Sequence, residues 1–426
     1  MRIKLWGACF FMLVSEVRDN LVGQIIPFWK RLRDKKYGGY YGFYDFDLNL
    51  HRNADKGVIL HSRILWFFSN AYDITKDVEC LEHAKSCYDF IKNVCMDRLY
   101  GGVYWSVSFD GIPVDTTKHT YNQAFAIYGL TSYYNVSGDK EALRMAYELF
   151  RLIEDKQKDN VGYMEAFHRD FSPTTNEKLS ENGLMASKTM NTLLHVLEAY
   201  TELYRVDGNE EVRNCLVWIL EQFETVLYNP KRRMLEVFFD ENMNTLSDLN
   251  SYGHDIEASW LIDRAITVLG NETSVKDKSF TRRFTPSAKS PDFEKGMVVR
   301  IKNLKEITEN LRQHIYEVGF DGTSLNNEMI DGELDTTKIW WVQAESVVGF
   351  LNGYEIGKDE KYLKAAINIW EFIKDKIIDK RENSEWFYDL NKEGIPISKK
   401  EIAGPWKCPY HNGRMCFEII KRYSYA

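Results

Sequence analysis

Tyr134-Asn-Val-Ser-Gly-Asp139 is one copy of a short phrase that recurs along the chain. Each copy follows one apolar helical run and precedes another, and its final Asp or Asn suits the N-cap of the second run. The phrase therefore predicts the turn between two antiparallel helices. The other copies are Tyr72-Asp-Ile-Thr-Lys-Asp77, Tyr204-Arg-Val-Asp-Gly-Asn209 and Tyr354-Glu-Ile-Gly-Lys-Asp359, with a degenerate copy at Ile266-Thr-Val-Leu-Gly-Asn271.

The interval between copies matches one pair of helices with a connecting loop. The β-branched residues at positions 74, 136, 206, 268 and 356 are separated by 62, 70, 62 and 88 residues. The second helix of each pair carries one apolar stripe, which predicts an outer position. The first helix is apolar around more of its circumference, so we expect it to be buried. These inner helices are predicted over Val58–Tyr72, Gln123–Tyr134, Thr189–Tyr204, Ile256–Leu269 and Trp341–Tyr354.

Adding a helix at about Leu13–Arg33 and a last one from His411 gives about twelve helices. Six pairs can close into a ring, whereas an open solenoid would need polar end caps. We therefore predict an all-α (α/α)6 barrel, as a single catalytic domain over residues 1–426. Residues 1–14 are expected to form an apolar N-terminal extension, and Thr273–Met297 a surface loop insertion. Short β-hairpins are predicted in the loops near Gly38–Gly42, Gly101–Trp105, Gly162–Glu165, Leu235–Phe238 and Trp386–Tyr388.

The composition excludes several classes of protein. The chain has 426 residues, of which 44% are hydrophobic and 28% charged, values typical of a globular protein in water. A net charge of -8 disfavours nucleic acid as a partner. Seven cysteines without a CxxC pair indicate reduced thiols, and so a cytoplasmic location, rather than disulfides or zinc. A signal-like apolar start leaves export as an alternative. No other stretch approaches the roughly 18 apolar residues of a membrane span.

Polar and aromatic residues gather at the predicted N-termini of the inner helices. In such a barrel these helices point the same way, so their first turns meet at one mouth. Pairs spaced i, i+3 or i, i+4 share a helix face. We therefore predict a functional site there, formed by Arg63, Tyr121, Asn191, His195, His254, Glu257, Trp341, Glu345 and His411. Trp260, Trp341 and Trp406 are either core residues or sugar-stacking rings.

Three histidines at one mouth suit proton transfer. A lone helical histidine is more often structural, but three on different inner helices favour a function. Imidazole has a pKa near 6.5 and can exchange protons in both directions at neutral pH. Two histidines could remove a proton beside a carbonyl and return it on the other side, with an Arg, an Asn or a third His stabilising the enolate. Zinc binding is a weaker alternative, and Glu257 and Glu345 are either buried partners or catalytic groups.

Longer motifs, among them Ser251–Trp260 and Gly404–Arg414, closely resemble those of the N-acylglucosamine 2-epimerase superfamily, and within it the cellobiose 2-epimerases. The likeness runs from about Ser15 to Glu418. The motif Pro405-Trp-Lys-Cys-Pro-Tyr-His411 favours the cellobiose branch over the acylglucosamine and mannose-isomerising branches. The other motifs are Ala54-Asp-Lys-Gly57, Ser62-Arg-Ile-Leu-Trp66, Thr120–Ala126, Met190-Asn-Thr192, His195–Tyr200, Ser251–Trp260, Trp340–Glu345 and Gly404–Arg414.

The resemblance implies metal- and cofactor-free epimerisation at C2 of the reducing-end glucose in β-1,4-linked disaccharides such as cellobiose, lactose and mannobiose. It implies that His254 and His411 are the acid/base pair and that His195 and Arg63 hold O1 and the enediolate. It further implies that Asn191, Trp341 and Glu345 bind the sugar, that Glu257 supports His254, and that Trp406 is a platform for the disaccharide.

Three features depart from the pattern of the superfamily. Leu193 stands where relatives often have a second histidine, the Thr273–Met297 loop is long, and the apolar first fourteen residues are atypical. Two alternatives remain open: an inverting glycoside hydrolase that uses Glu257 and Glu345, and a non-catalytic sugar-binding module. We expect a small disaccharide as partner, no nucleic acid or membrane, and a monomer or weak homo-oligomer.

Overall fold

Helices alternate between an inner and an outer layer of the fold. The computed structural model describes residues 2–178, 184–270 and 291–424, with backbone alone for residues 2–9 and 291–295. The helices are Arg2–Asn20 (α1), Ile26–Arg31 (α2), Val58–Thr75 (α3), Val78–Phe90 (α4), Thr120–Ser137 (α5), Lys140–Leu152 (α6), Met190–Asp207 (α7), Glu210–Gln222 (α8), Tyr252–Gly270 (α9), Pro291–Val318 (α10), Trp340–Gly357 (α11), Glu360–Phe372 (α12) and His411–Tyr423 (α13).

The inner helices α3, α5, α7, α9, α11 and α13 form a closed ring. Each contacts the next in chain order, and α13 returns to contact α3. The outer helices α4, α6, α8, α10 and α12 pack on their inner partners, and α1 packs on α13. The inner helices are buried on nearly every side, as their sequences predict. The predicted (α/α)6 barrel is confirmed.

The recurring phrase forms the predicted turn between inner and outer helices. In four copies one residue adopts a left-handed conformation and its N–H donates to the carbonyl of the tyrosine four residues earlier. The next residue caps the outer helix, because its side chain accepts a backbone N–H from the first turn. These left-handed residue and cap pairs are Lys76 and Asp77, Gly138 and Asp139, Gly208 and Asn209, and Lys358 and Asp359. Asn271, in the degenerate copy, lies outside the described residues.

Short antiparallel strands lie in the loops that precede the inner helices. They pair as β1-β2-β3, β4-β5, β6-β9, β7-β8, β10-β11-β12 and β13-β14, and Ser251 in β10 lies opposite Glu328 in β11. The strands are Lys56–Gly57 (β1), Ser106–Val107 (β2), Pro113–Asp115 (β3), Lys118–His119 (β4), Ala166–Phe167 (β5), Lys188–Thr189 (β6), Tyr228–Asn229 (β7), Met234–Leu235 (β8), Phe238–Phe239 (β9), Leu249–Ser251 (β10), Glu328–Ile330 (β11), Glu333–Asp335 (β12), Lys338–Ile339 (β13) and Asp389–Leu390 (β14).

The predicted Gly/aromatic hairpins are confirmed only in part. Leu235 and Phe238 lie in strands, whereas Tyr40, Val103, Tyr163 and Trp386 each form a single bridge to an earlier residue. One bridge closes a tight turn but does not extend into a ladder.

Buried lysines hold the loops that precede four inner helices. A lysine lies two residues before α3, α5, α7 and α11, and its ammonium binds an aspartate from the preceding loop. Because the lysine side chains are almost fully buried, the pairs tie each loop to the barrel mouth. The pairs and their N–O distances are Lys56 with Asp34 (2.8 Å), Lys118 with Asp97 (3.1 Å), Lys188 with Asp159 (2.7 Å) and Lys338 with Asp321 (2.6 Å).

Two boundaries differ from the sequence prediction. The first helix begins at Arg2 rather than near Leu13, and residues 2–14 extend it at its N-terminal end, as predicted for an apolar extension. The predicted loop over Thr273–Met297 is wrong at its end, because α10 begins at Pro291; residues 273–290 lie outside the described part. Proline is well suited to the first turn of a helix, where its missing N–H costs nothing. Within the described ranges no helix is both long and apolar enough to cross a bilayer.

Candidate active site

The residues predicted to form the site occupy two levels of the barrel mouth. Tyr121, Asn191 and Trp341 are the second residues of α5, α7 and α11. Arg63, His195, Glu257 and Glu345 are the sixth residues of α3, α7, α9 and α11, about one turn deeper. His254 is the third residue of α9, and His411 is the first residue of α13.

His254 and His411 contact the same tryptophan. The ring centroid of Trp341 lies 4.8 Å from that of His254 and 5.3 Å from that of His411. Trp341 is partly exposed, while the two histidines are 8% and 7% exposed. The structure therefore brings the predicted acid/base pair together around one indole at the mouth.

A carboxylate lies behind His411. His411 Nδ1 is 2.8 Å from Glu345 Oε1, and Nε2 is the nitrogen without this partner. Glu345 also accepts from the indole N–H of Trp260 at 3.1 Å and pairs with Arg414 at 2.6 Å. Burial raises the pKa of Glu345, and the Arg414 guanidinium opposes that rise. Because Glu345 is fully buried among these donors, it orients His411 from below.

A second carboxylate, Glu198, lies behind His195. His195 Nδ1 is 3.0 Å from Glu198 Oε2, and Tyr410 donates its hydroxyl to the same oxygen. Arg414 binds Glu198 Oε1 at 2.5 Å. Burial alone would raise the pKa of Glu198, but Arg414, His195 and Tyr410 together lower it to about 2. Glu198 is therefore ionised at neutral pH.

Arg414 links the carboxylates beneath the site. Its guanidinium pairs with Glu198, Glu257 and Glu345, all of them buried. A buried ion cluster is stable only when each charge has partners, and here one cation faces three carboxylates. The groups that orient His195 and His411 thus belong to one connected network.

His254 has a different type of partner. Its Nδ1 lies 2.8 Å from the hydroxyl oxygen of Ser251. Glu257, which the resemblance assigned to His254, pairs with Arg414 instead, and its Oε2 has no hydrogen-bond partner among the described residues. Burial lowers the pKa of His254 to about 4. His254 is therefore a neutral imidazole at rest.

Arg63 is a buried cation without a carboxylate partner in the described ranges. Its Nη2 donates to the Tyr121 hydroxyl at 2.7 Å and its Nη1 lies 3.7 Å from Cys408 Sγ. The rings of Phe125 and Tyr410 flank the guanidinium at 4.2 and 4.8 Å. A guanidinium that is 2% exposed and balanced only by neutral groups favours an anionic oxygen as its ligand.

Two of the predicted tryptophans differ in position. Trp406 is partly exposed and lies 5.9 Å from Trp105 and 6.1 Å from Tyr121, which suits a stacking platform at the rim. Trp260 is 1% exposed and lies under Arg414, with 5.0 Å between the guanidinium and the ring. Of the two alternatives for Trp260, core and sugar platform, its position suits the core.

Comparison with known proteins places this arrangement in a family. The family model described as N-acylglucosamine 2-epimerase matches residues 38–413. The chain belongs to the N-acylglucosamine 2-epimerase family. The cellobiose 2-epimerase of Ruminococcus albus is 51% identical over 96% of this chain and 99% of that relative.

Solved structures agree with this assignment. A sugar epimerase from a ruminal bacterium superposes with a TM-score of 0.88 at 50% identity, over 96% of this chain and 99% of that one. Cellobiose 2-epimerase from Bacillus thermoamylovorans B4167 gives 0.87 at 42% identity, with the same coverage. The resemblance identified in the sequence is confirmed at the level of the family.

One cluster in this epimerase-family site has the ligand types of a metal centre. Glu257, Glu345 and His411 each offer a ligand atom, and these atoms lie within 4.8 Å of one another. Arg414 already pairs with both carboxylates, so a cation there would meet a fixed positive charge. The absence of a metal cofactor stays a prediction.

Sequence reasoning missed the groups that lie behind the histidines. Glu198 follows His195 by three residues, Arg414 follows His411 by three, and Ser251 precedes His254 by three. The first two pairs each share one helix face, and Ser251 directly precedes the helix of His254, so a search around each histidine would have found them. Tyr410 was read only as part of the family motif, yet it donates to Glu198.

Proposed function

We propose that this chain catalyses reversible C2 epimerisation of the reducing-end glucose in β-1,4-linked disaccharides, converting cellobiose to glucosyl-mannose and acting also on lactose or mannobiose. The observation that carries the proposal is the contact of His254 and His411 with one partly exposed indole. Relatives that are 41–51% identical and named cellobiose 2-epimerase support it.

The reaction begins with ring opening of the reducing sugar. One imidazole accepts the proton of the O1 hydroxyl while an imidazolium donates a proton to O5, which gives the free aldehyde. One imidazole then removes the C2 proton. The electron pair of the broken C2–H bond forms the C1–C2 double bond of an enediolate. The other histidine, as imidazolium, delivers a proton to the opposite face of C2, and the ring closes to the epimer.

Arg63 and Asn191 suit the stabilisation of this intermediate. Negative charge develops on O1 as the C2 proton leaves, and a buried guanidinium without a carboxylate partner favours that charge. Asn191 Oδ1 has no hydrogen-bond partner among the described residues and can accept from a sugar hydroxyl. Glu198 orients His195, and the ring centroid of His195 lies 5.1 Å from that of Tyr121. Because Tyr121 binds Arg63, His195 lies on the same side of the site as the guanidinium.

The aromatic rim suits a second sugar ring. Trp406 and Trp105 form a partly exposed pair at the mouth, and sugar faces stack well on indoles. We propose that Trp406 holds the second residue of the disaccharide while Trp341 contacts the reacting one.

We further propose that the protein acts in the cytoplasm as a monomer or weak homo-oligomer. Cys80, Cys87, Cys95, Cys215, Cys408 and Cys416 are free thiols, in keeping with a reducing compartment.

The carboxylates fit a glycoside hydrolase poorly. An inverting pair stands roughly 6.5–9.5 Å apart, with room for a water between them. Glu257 and Glu345 have oxygens within 4.8 Å of each other, are fully buried and share the Arg414 guanidinium.

The test is incubation of the purified protein with cellobiose, lactose, mannobiose and N-acetylglucosamine separately, followed by chromatographic resolution of the products. We expect the C2 epimer of each disaccharide and no product from N-acetylglucosamine. Release of monosaccharides would instead establish the hydrolase, and binding without any change in the sugars would establish the non-catalytic module.

A further inference from the structure

Ser251 uses its hydroxyl in an unusual way for a residue that precedes a helix. It comes directly before α9 and its Oγ is bound to the imidazole of His254, three residues later. Thr189 has the same place before α7, and its hydroxyl oxygen instead accepts the backbone N–H of Thr192, three residues later, at 3.0 Å. Capping of that kind is the ordinary use of a Ser or Thr at this position. At α9 the hydroxyl is directed to the site.

We propose that Ser251 is a positioning residue that sets the tautomer and the basicity of His254, an inference that rests on the proposed epimerisation. When Nδ1–H donates to Ser251 Oγ, the lone pair is on Nε2, the nitrogen without this partner. Nε2 can then take the C2 proton, and the same hydroxyl oxygen accepts from Nδ1–H of the resulting imidazolium. When Nε2 returns the proton to C2, Nδ1 keeps its hydrogen and still donates it to the same hydroxyl oxygen.

The choice of a hydroxyl sets His254 apart from the other two histidines. His195 and His411 each have a carboxylate at Nδ1. A carboxylate stabilises an imidazolium more strongly than a neutral oxygen does. At Nδ1, therefore, the Ser251 hydroxyl stabilises the imidazolium of His254 less than a carboxylate in the same place would.

Charged and titratable groups approach His254 from several elements. Glu257 on α9 raises its pKa, while burial and His195 on α7 lower it. His411 on α13 interacts with it electrostatically, and Glu328 on β11 lies across the strand pair from Ser251. A substitution at Ser251 leaves all of these in place and changes only the partner of Nδ1.

The test compares Ser251→Ala with Ser251→Asp by measuring kcat for cellobiose epimerisation across pH. In S251A we expect kcat to fall about tenfold, the loss of one buried hydrogen bond, with a KM within about twofold of wild type. The limb of the pH profile that His254 controls should move to lower pH in S251A, because the imidazolium loses its acceptor. In S251D it should move to higher pH, and S251T should restore the wild-type profile.

A merely structural role for Ser251 makes different predictions. Asp139→Ala removes the N-cap of α6, on the outer layer, and should lower the Tm without moving the pH profile. Asp is as good an N-cap as Thr, so a capping role would give S251D and S251T the same profile. Equal profiles in these two variants, or an S251A variant that resembles D139A, would overturn the inference.

A second measurement does not depend on turnover. In protein labelled with 15N-histidine, the wild-type imidazole of His254 should show a protonated Nδ1 and a bare Nε2 at neutral pH, and S251A should show a mixture of tautomers. Unchanged nitrogen shifts in S251A would contradict the inference even where cellobiose is epimerised. If wild type left cellobiose unchanged, the proposed function would fail, whereas the shifts would still decide the role of Ser251.

Discussion

At the scale of single residues, the site contains three histidines, and a partner holds the Nδ1 nitrogen of each one. Glu198, Ser251 and Glu345 are those partners. Because a fixed partner keeps each imidazole in one orientation, little reorganisation is needed when a proton moves. The arrangement supports proton transfer more than metal binding.

Replacing either member of the acid/base pair should remove most of the activity. We expect His254→Ala and His411→Ala each to lower the epimerisation rate by roughly 10²–10⁴-fold, the usual contribution of a positioned acid or base. Exposed His168 is the matched control, and His168→Ala should retain the wild-type rate. Initial rates with cellobiose measure the effect, and near-normal turnover in H254A or H411A would mean that the site is assigned wrongly.

The positions of the histidines follow from sequence, but the network beneath them does not. Arg414 and Glu198 are separated by 216 positions, and they meet only because α13 closes the ring between α11 and α3, on the opposite side of the barrel from α7. The pairing of Glu257 with Arg414 rather than His254 depends on side-chain directions that a one-dimensional pattern does not contain. Ser251 also resembles an ordinary helix cap until its partner is seen.

At the scale of elements, the turn phrase was predictable because its residues act locally. A left-handed residue followed by an Asp or Asn cap needs no long-range contact, so four copies suffice to locate the inner and outer helices. The Gly/aromatic stretches were harder, because strand pairing depends on loops that are distant in sequence. The lysines two residues before four inner helices are a further repeat in the sequence, but their burial and their aspartate partners are visible only in the fold.

Two glycines of the turn phrase should respond oppositely when they are replaced by alanine, one substitution lowering and the other raising the free energy of unfolding. Gly138 has φ +72° with open space around it, so Gly138→Ala should destabilise the protein by about 1 kcal/mol through backbone strain alone. Gly357 ends α11 with open space and no positive φ, so Gly357→Ala should stabilise by about 0.5–1 kcal/mol. Urea unfolding measures both, and equal effects of the two substitutions would contradict this account of the turn.

At the scale of the whole molecule, closure of the ring brings the first turns of the inner helices together at one mouth, where the site lies. The barrel could be predicted from the repeat. Six helix pairs whose inner helices point the same way can close into a ring, whereas an open solenoid would need polar end caps. The end of the predicted 273–297 loop was wrong, because α10 begins at Pro291 and a proline is compatible with the first position of a helix.

Acid should destabilise the barrel over a defined range of pH. Burial opposes ionisation of Glu198, Glu202 and Glu418, but neighbouring arginines lower the pKa of each to about 2, below the ordinary 4.5. Their stabilisation is therefore complete above about pH 4.5 and is lost as the pH falls towards 2. Each contributes on the order of 3 kcal/mol to the free energy of unfolding at neutral pH.

Calorimetric Tm values between pH 7 and pH 3 measure this loss. We expect the Tm to fall mainly below pH 4.5 in wild type. Glu198→Gln should be less stable at pH 7 and should lose less on acidification, since one of the three groups no longer titrates. A wild-type Tm that stayed constant down to pH 3 would contradict the assignment of these ion pairs.

The central claim is that histidines at the mouth exchange the C2 proton of a reducing sugar. The direct measurement is proton NMR of cellobiose incubated with the protein in D2O. Solvent-derived deuterium should accumulate at C2 as glucosyl-mannose appears, and both should be lost together in H254A or H411A. Glucosyl-mannose formed with its original proton still at C2, or no deuterium at C2 in either sugar, would contradict the account.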